Sequence, residues 1–153
     1  MSEPRLRQRV ESASKVSVAI LAGFILAFHK PSQKDGSAKC DICPKEGSSV
    51  YGVVFEIDTN DLDALDMCEG NGKGYKRIKL PVTLDSGAVI HAETYKATAI
   101  DRNLKPYTWY LRHVVEGARN APLPEEYIAA LESVEAVRDP DENREKGELE
   151  IYS

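Results

Sequence analysis

The sequence predicts an α+β fold: a small mixed or antiparallel, barrel-like sheet with flanking helices. Three observations carry this expectation. Runs rich in β-branched and aromatic residues recur in close succession, as in VYGVVFEI from Val50 to Ile57. Segments of helical period stand at residues 59–68 and 108–118. The two kinds of segment do not alternate in the regular βαβ manner that a parallel sheet requires. With 42% hydrophobic and 29% charged residues in 153, the chain can bury a core without a disulfide or metal staple.

The elements follow in order. Ser2 is placed to cap a helix through about Ser12, with Pro4 in its first turn and Leu6, Val10 and Ala13 on one face. Arg5, Arg7 and Arg9 alternate at spacing two, which spreads their charge around that helix and reads as a solvated face. The apolar run from Val16 to Phe28 falls short of the about 20 residues a membrane-spanning helix needs. Glu3 and Glu11 also interrupt what a basic leader peptide would require. The run is therefore read as two core strands divided at Gly23, and the chain as cytoplasmic with no membrane partner.

A polar loop spans Pro31 to Ala38, an extended piece Lys39 to Pro44, and a turn precedes the strand Val50 to Ile57. Thr59 or Asn60 caps a helix through Cys68, which the glycines at 70, 72 and 74 stop. Strands Tyr75 to Leu84 and Ala88 to Ala99 flank the turn Asp85-Ser86-Gly87. Helices are expected at about Thr108 to Ala118 and Glu125 to Ser133, the second after Pro122 and Pro124. Residues 1–137 form one domain in this reading. Residues 138–153, mostly charged or turn-forming, form an exposed tail.

Net charge is -5, from 20 Lys plus Arg against 25 Asp plus Glu, which disfavours a nucleic-acid partner. Cys40 and Cys43 have the spacing of a redox or zinc pair, but Cys68 and the histidines 29, 91 and 113 are scattered in sequence. In an extended segment the two thiols also face opposite ways. They are read as small buried thiols, and a redox or metal role ranks behind the functions below. The run from Glu69 to Gly74 leads from helix into strand, the reverse of a phosphate-binding loop.

Glu69 stands out. It follows Leu65 by four residues and Leu62 by seven, so its carboxyl shares the helix face that packs inward, while Asp63 and Asp66 lie off that face and read as solvated. A carboxyl on such a face, at the carbonyl-rich end of a helix, suits a group that takes a proton in one step and returns it in the next.

From Glu69 outward, the pattern resembles the γ-glutamylcyclotransferase family. The resemblance rests on Val50–Ile57, on LDALDMCEG from Leu62 to Gly70, on Tyr75-Lys76-Arg77, on Tyr110-Leu111, and on Leu123-Pro124 with Tyr127. It covers about residues 1 to 130. It implies a small sheet closed into a barrel with helices outside, no metal and no cofactor, and Glu69 as the catalytic acid/base. Tyr110 and Tyr75 would lie near the substrate. The implied activity, of transferase or lyase type, releases an amine or amino acid from a small-molecule γ-glutamyl amide, glutathione metabolism being one setting, and forms 5-oxoproline. The family's Tyr-Gly-Ser-Asn segment, whose amides bind the glutamyl portion and stabilise the oxyanion, does not occur in this sequence, and Met1 aligns with the residue that ends it. That leaves an alternative expectation: a catalytically impaired enzyme, or a non-catalytic ligand-binding protein on the same fold.

Overall fold

A computed structural model describes residues 2–153. Helix α1 (Glu3–Arg7) leads into a long hairpin of β1 (Ser14–Pro31) and β2 (Ala38–Glu56). Helix α2 (Leu62–Glu69) follows a 3-10 turn. Strands β3 (Tyr75–Leu84) and β4 (Val89–Ala97) form a second hairpin. Helices α3 (Thr108–Asn120), α4 (Glu125–Glu132) and α5 (Glu142–Leu149) complete the described elements. The sheet runs β2-β1-β3-β4 and is antiparallel throughout. Its outer strands meet at one end, where the Ala97 N–H of β4 donates to Asp41 Oδ1 of β2 at 2.8 Å.

Gly23 was expected to divide two strands; instead β1 runs on through it. The glycine adopts φ +78 at a register shift between Ala22 and Phe24. A single left-handed residue is absorbed as a bulge, because the partner strand keeps pairing on both sides of it. Gly47 at φ +74 stands in the same way inside β2, which joins the predicted extended piece, turn and strand into one element.

Two apolar clusters hold the layers together. Leu111, Val115 and Ala118 of α3 pack with Leu123 and with Leu131 of α4 against Val18, Phe28, Tyr51 and Val53 of the sheet. Leu6, Val10 and Ala13 form a smaller cluster that takes in Phe55, Ile57 and Leu65. The second cluster matters for function, because Leu65 of α2 seats that helix on the turn following α1.

The charged stretch 138–153, expected as an exposed tail, forms α5 and a closing 3-10 turn. Asp139 anchors it: its carboxylate is fully buried and accepts from Trp109 Nε1 at 2.7 Å and from Arg144 Nε at 2.7 Å. Composition misleads here because one buried aspartate, satisfied by an indole N–H and a guanidinium, docks a mostly charged segment, and Glu148 and Tyr152 add contacts to His113.

Candidate active site

Glu69 is the last residue of α2, and Gly70 caps the helix at φ +70. Only a residue without a Cβ adopts that conformation cheaply, so the chain turns sharply and leaves the Glu69 side chain at the helix end. The carboxylate is 15% exposed and accepts from Arg9 Nη1 at 2.5 Å, the guanidinium being 25% exposed. Contrary to the expectation of a solvated arginine face, Arg5 and Arg9 both turn inward; Arg7 alone of the three stays largely in water. The cause is local. Helix α1 ends at Arg7, and Arg9 N–H and Val10 N–H both bond back to Leu6 C=O. Arg9 thus sits in a tight turn beside the Leu65 cluster.

Arg5 stacks over Trp109 and Tyr110, with its centre 5.6 and 6.0 Å from the ring centroids, and pairs with Glu148 at 3.0 Å. Lys39 lies 4.5 Å from both of those centroids and pairs with Asp35 at 2.8 Å. Lys30 lies 4.8 Å over the Tyr75 ring. Among the described residues no carboxylate comes within ion-pair distance of Lys30. Burial pulls the Lys30 ammonium below its ordinary value, with Asp35 and Glu69 opposing that shift. Gly74 makes room for it: a Cβ there would meet Lys30 Cε and Nζ at 3.0 Å.

Tyr75 and Tyr110, both candidates from the sequence, converge on the backbone of one residue, Cys40. The Tyr75 hydroxyl donates to Cys40 C=O at 2.6 Å, and the Cys40 N–H donates to the Tyr110 oxygen at 3.0 Å. Burial pushes both phenols far above their ordinary range, so both stay protonated. Their bonding differs: Tyr75 donates to the Cys40 carbonyl, whereas Tyr110 accepts from the Cys40 N–H and turns its own hydrogen toward the Cys40 thiol. Tyr110→Phe is expected to lower stability by about 1–3 kcal/mol, since the Cys40 N–H loses its acceptor. Urea unfolding checks this, and a change below 0.5 kcal/mol would show the bond to be dispensable.

Residues 49–131 match the sequence profile of the AIG2-like family. The gamma-glutamylcyclotransferase of Bos taurus is 32% identical over 136 residues, spanning 86% of this chain and 72% of that protein. The chain belongs to the γ-glutamylcyclotransferase family. The Homo sapiens gamma-glutamylcyclotransferase is 31% identical over the same shares of both chains. A solved gamma-glutamyl cyclotransferase superposes with a TM-score of 0.84 at 27% identity, covering 95% of this chain and 92% of that one. This γ-glutamylcyclotransferase-like chain is accordingly an enzyme of that type, and nothing among its relatives favours the non-catalytic alternative.

Sequence reasoning singled out Glu69, Tyr75 and Tyr110 but missed two groups of this γ-glutamylcyclotransferase fold. Arg9 was hidden by the assumption that α1 continued past Arg7. Asp66, read as solvated, accepts from the Tyr95 hydroxyl at 2.6 Å and pairs with Arg77 at 3.2 Å, which ties α2 to β3 and β4. Among the described residues no helix is long and apolar enough to cross a membrane.

Proposed function

We propose that Glu69 is the acid/base of a cyclisation that converts a γ-glutamyl amide into 5-oxoproline and a free amine. The observation that carries this reading is the Arg9–Glu69 pair at 2.5 Å, which holds a mostly buried carboxylate in place at the C-terminal end of α2. The substrate brings its own nucleophile. Its α-nitrogen attacks the γ-carbonyl carbon, a C–N bond forms, and the C–N bond to the leaving group breaks. Two protons pass from the α-ammonium to the leaving nitrogen, and a single carboxylate can carry them in turn. Because attack is intramolecular, holding the folded-back rotamer supplies much of the rate.

Lys30 suits the substrate's α-carboxylate: it is a partly desolvated cation without a carboxylate partner among the described residues, placed beside Tyr75. Tyr110 lies near the substrate in this reading, and Tyr75 acts as a positioning residue by holding Cys40. No step calls for a metal or cofactor. The three free thiols, Cys40, Cys43 and Cys68, fit a reducing, cytoplasmic compartment. Glutathione is one γ-glutamyl amide available there.

Incubation with γ-glutamyl-alanine and measurement of 5-oxoproline tests the reaction; no product at any substrate concentration would reject it. Lys30→Met is expected to raise KM at least about tenfold with kcat little changed, the loss of one charged hydrogen bond. An unchanged KM would remove Lys30 from the site.

A further inference from the structure

The β1–β2 hairpin carries a second cluster that the cyclisation does not use. Alternation puts Asp41 and Cys43 on one face of β2, and the pairing of Ala27 with Asp41 and Ile25 with Cys43 brings the same face of β1 opposite them. His29, two residues beyond Ala27 and at a register shift between Phe28 and Lys30, leans over both. His29 Nε2 lies 2.8 Å from Asp41 Oδ2 and 3.4 Å from Cys43 Sγ, and Cys43 Sγ lies 3.8 Å from Asp41 Oδ2. The imidazole and carboxylate are 8% and 3% exposed.

This arrangement is not a nucleophilic triad. In such a triad the acid and the nucleophile occupy opposite ring nitrogens, whereas Asp41 and Cys43 converge on the same nitrogen, Nε2. Burial and the neighbouring Asp41 also push the Cys43 thiol up, away from a reactive thiolate. Three donor atoms converging on one point are instead what a small cation requires. In four-coordinate zinc, bonds of about 2.0–2.3 Å to N, O and S set neighbouring donors about 3.3–3.6 Å apart. Two sides of the triangle, 3.4 and 3.8 Å, match that to within about 0.2 Å, and the third, the 2.8 Å hydrogen bond between His29 and Asp41, opens by about 0.5 Å to admit an ion seated above the plane of the three donors.

We propose that His29, Asp41 and Cys43 form a binding site for a divalent cation of the zinc class. The donor set of imidazole, carboxylate and thiolate selects such a borderline-soft ion over magnesium or calcium. Thiolate plus carboxylate balance its two positive charges, so the bound site is neutral and its burial is tolerated. On binding, the thiol gives up its proton to solvent and the imidazole keeps its remaining proton on Nδ1. An outer partner is already in place, since Asp41 Oδ1 accepts from Ala97 N–H of β4 at 2.8 Å. Among the described residues no fourth His, Cys, Asp or Glu joins the group, so the fourth position belongs to water. Such an ion staples β1 to β2 and, through Ala97, to β4, one residue away from the Cys40 backbone that Tyr75 and Tyr110 hold.

The test uses the full chain freed of metal with a chelator. Equilibrium dialysis against Zn2+ is expected to give one equivalent bound in the native sequence and in Cys68→Ser, whose thiol is exposed. Cys43→Ser and Asp41→Asn should each weaken binding by more than the roughly 100-fold that loss of an outer partner costs. Co2+ should give a thiolate charge-transfer band and intense tetrahedral d–d bands, both absent in Cys43→Ser. Glu69→Gln should bind Zn2+ normally, which separates this site from the cyclisation. Failure of the native chain to retain Zn2+, equal retention by Cys43→Ser, or a Co2+ complex without the thiolate band would each overturn the proposal. Should Cys43→Ser not fold, the native Co2+ spectrum decides alone.

Discussion

Glu69→Gln is expected to lower the rate of 5-oxoproline release from γ-glutamyl-alanine by about 10²–10⁴-fold, the range that general acid–base catalysis contributes. The substitution keeps the side chain's shape and an oxygen for Arg9 to bond, so folding should be unaffected while proton transfer stops. The loss should fall on kcat, because the amide can still line the site but cannot carry a proton. Arg9→Ala separates the carboxylate's identity from its placement. It leaves Glu69 present but unheld, and a misplacement of about 1 Å costs up to 10²-fold. Arg9→Lys, which keeps a positive charge of shorter reach, should recover part of that loss. Equal turnover by the native chain and Glu69→Gln would end the assignment.

Why Glu69 was legible and Arg9 was not follows from what each signal depends on. Glu69 shows itself through a local period: Leu62, Leu65 and Glu69 share one helix face whatever the rest of the chain does. Arg9 depends on where α1 stops. Pro4, Leu6 and Val10 fit a helix to Ser12 equally well, and only the packing of Leu6 and Val10 against Leu65 turns the chain at Gln8. The sheet was legible in kind, since β-branched runs mark strands. Its continuity was not, because a glycine that ends a strand and one that bulges it look alike until the partner strand is known. The His29, Asp41 and Cys43 cluster was invisible for the same reason. Twelve residues separate His29 from Asp41 in sequence, and only the hairpin register puts them side by side.

Asp139→Ala is expected to destabilise the protein by roughly 3 kcal/mol, the cost of leaving buried partners of a charged group unpaired. For a chain of this length that corresponds to a fall in Tm of about 6–12 °C. The carboxylate is fully buried and satisfies Trp109 Nε1, both arms of Arg144 and the Asp141 N–H. Water cannot reach the indole to replace it. The Arg144 bond, first among the causes, holds the Asp139 carboxyl down to about 2 from an ordinary 3.8. The sign of the pH dependence follows: a depressed carboxyl adds stability in full above pH 3.8 and loses it as pH falls toward 2. The native chain and Asp139→Ala should therefore differ most near neutrality and converge in acid, which thermal unfolding at the two extremes measures. The effect should also reach the site. Helix α5 carries Glu148, which pairs with Arg5 and lies 3.1 Å from His113, and Arg5 in turn stacks on Trp109 and Tyr110. Loosening α5 frees Arg5 and unsettles the ring that holds Cys40, so Asp139→Ala should lower kcat several-fold even at temperatures where the core stays folded. If the unfolding midpoint moved by less than about 2 °C and the α5 amides kept their protection from hydrogen exchange, the anchoring role of Asp139 would be refuted.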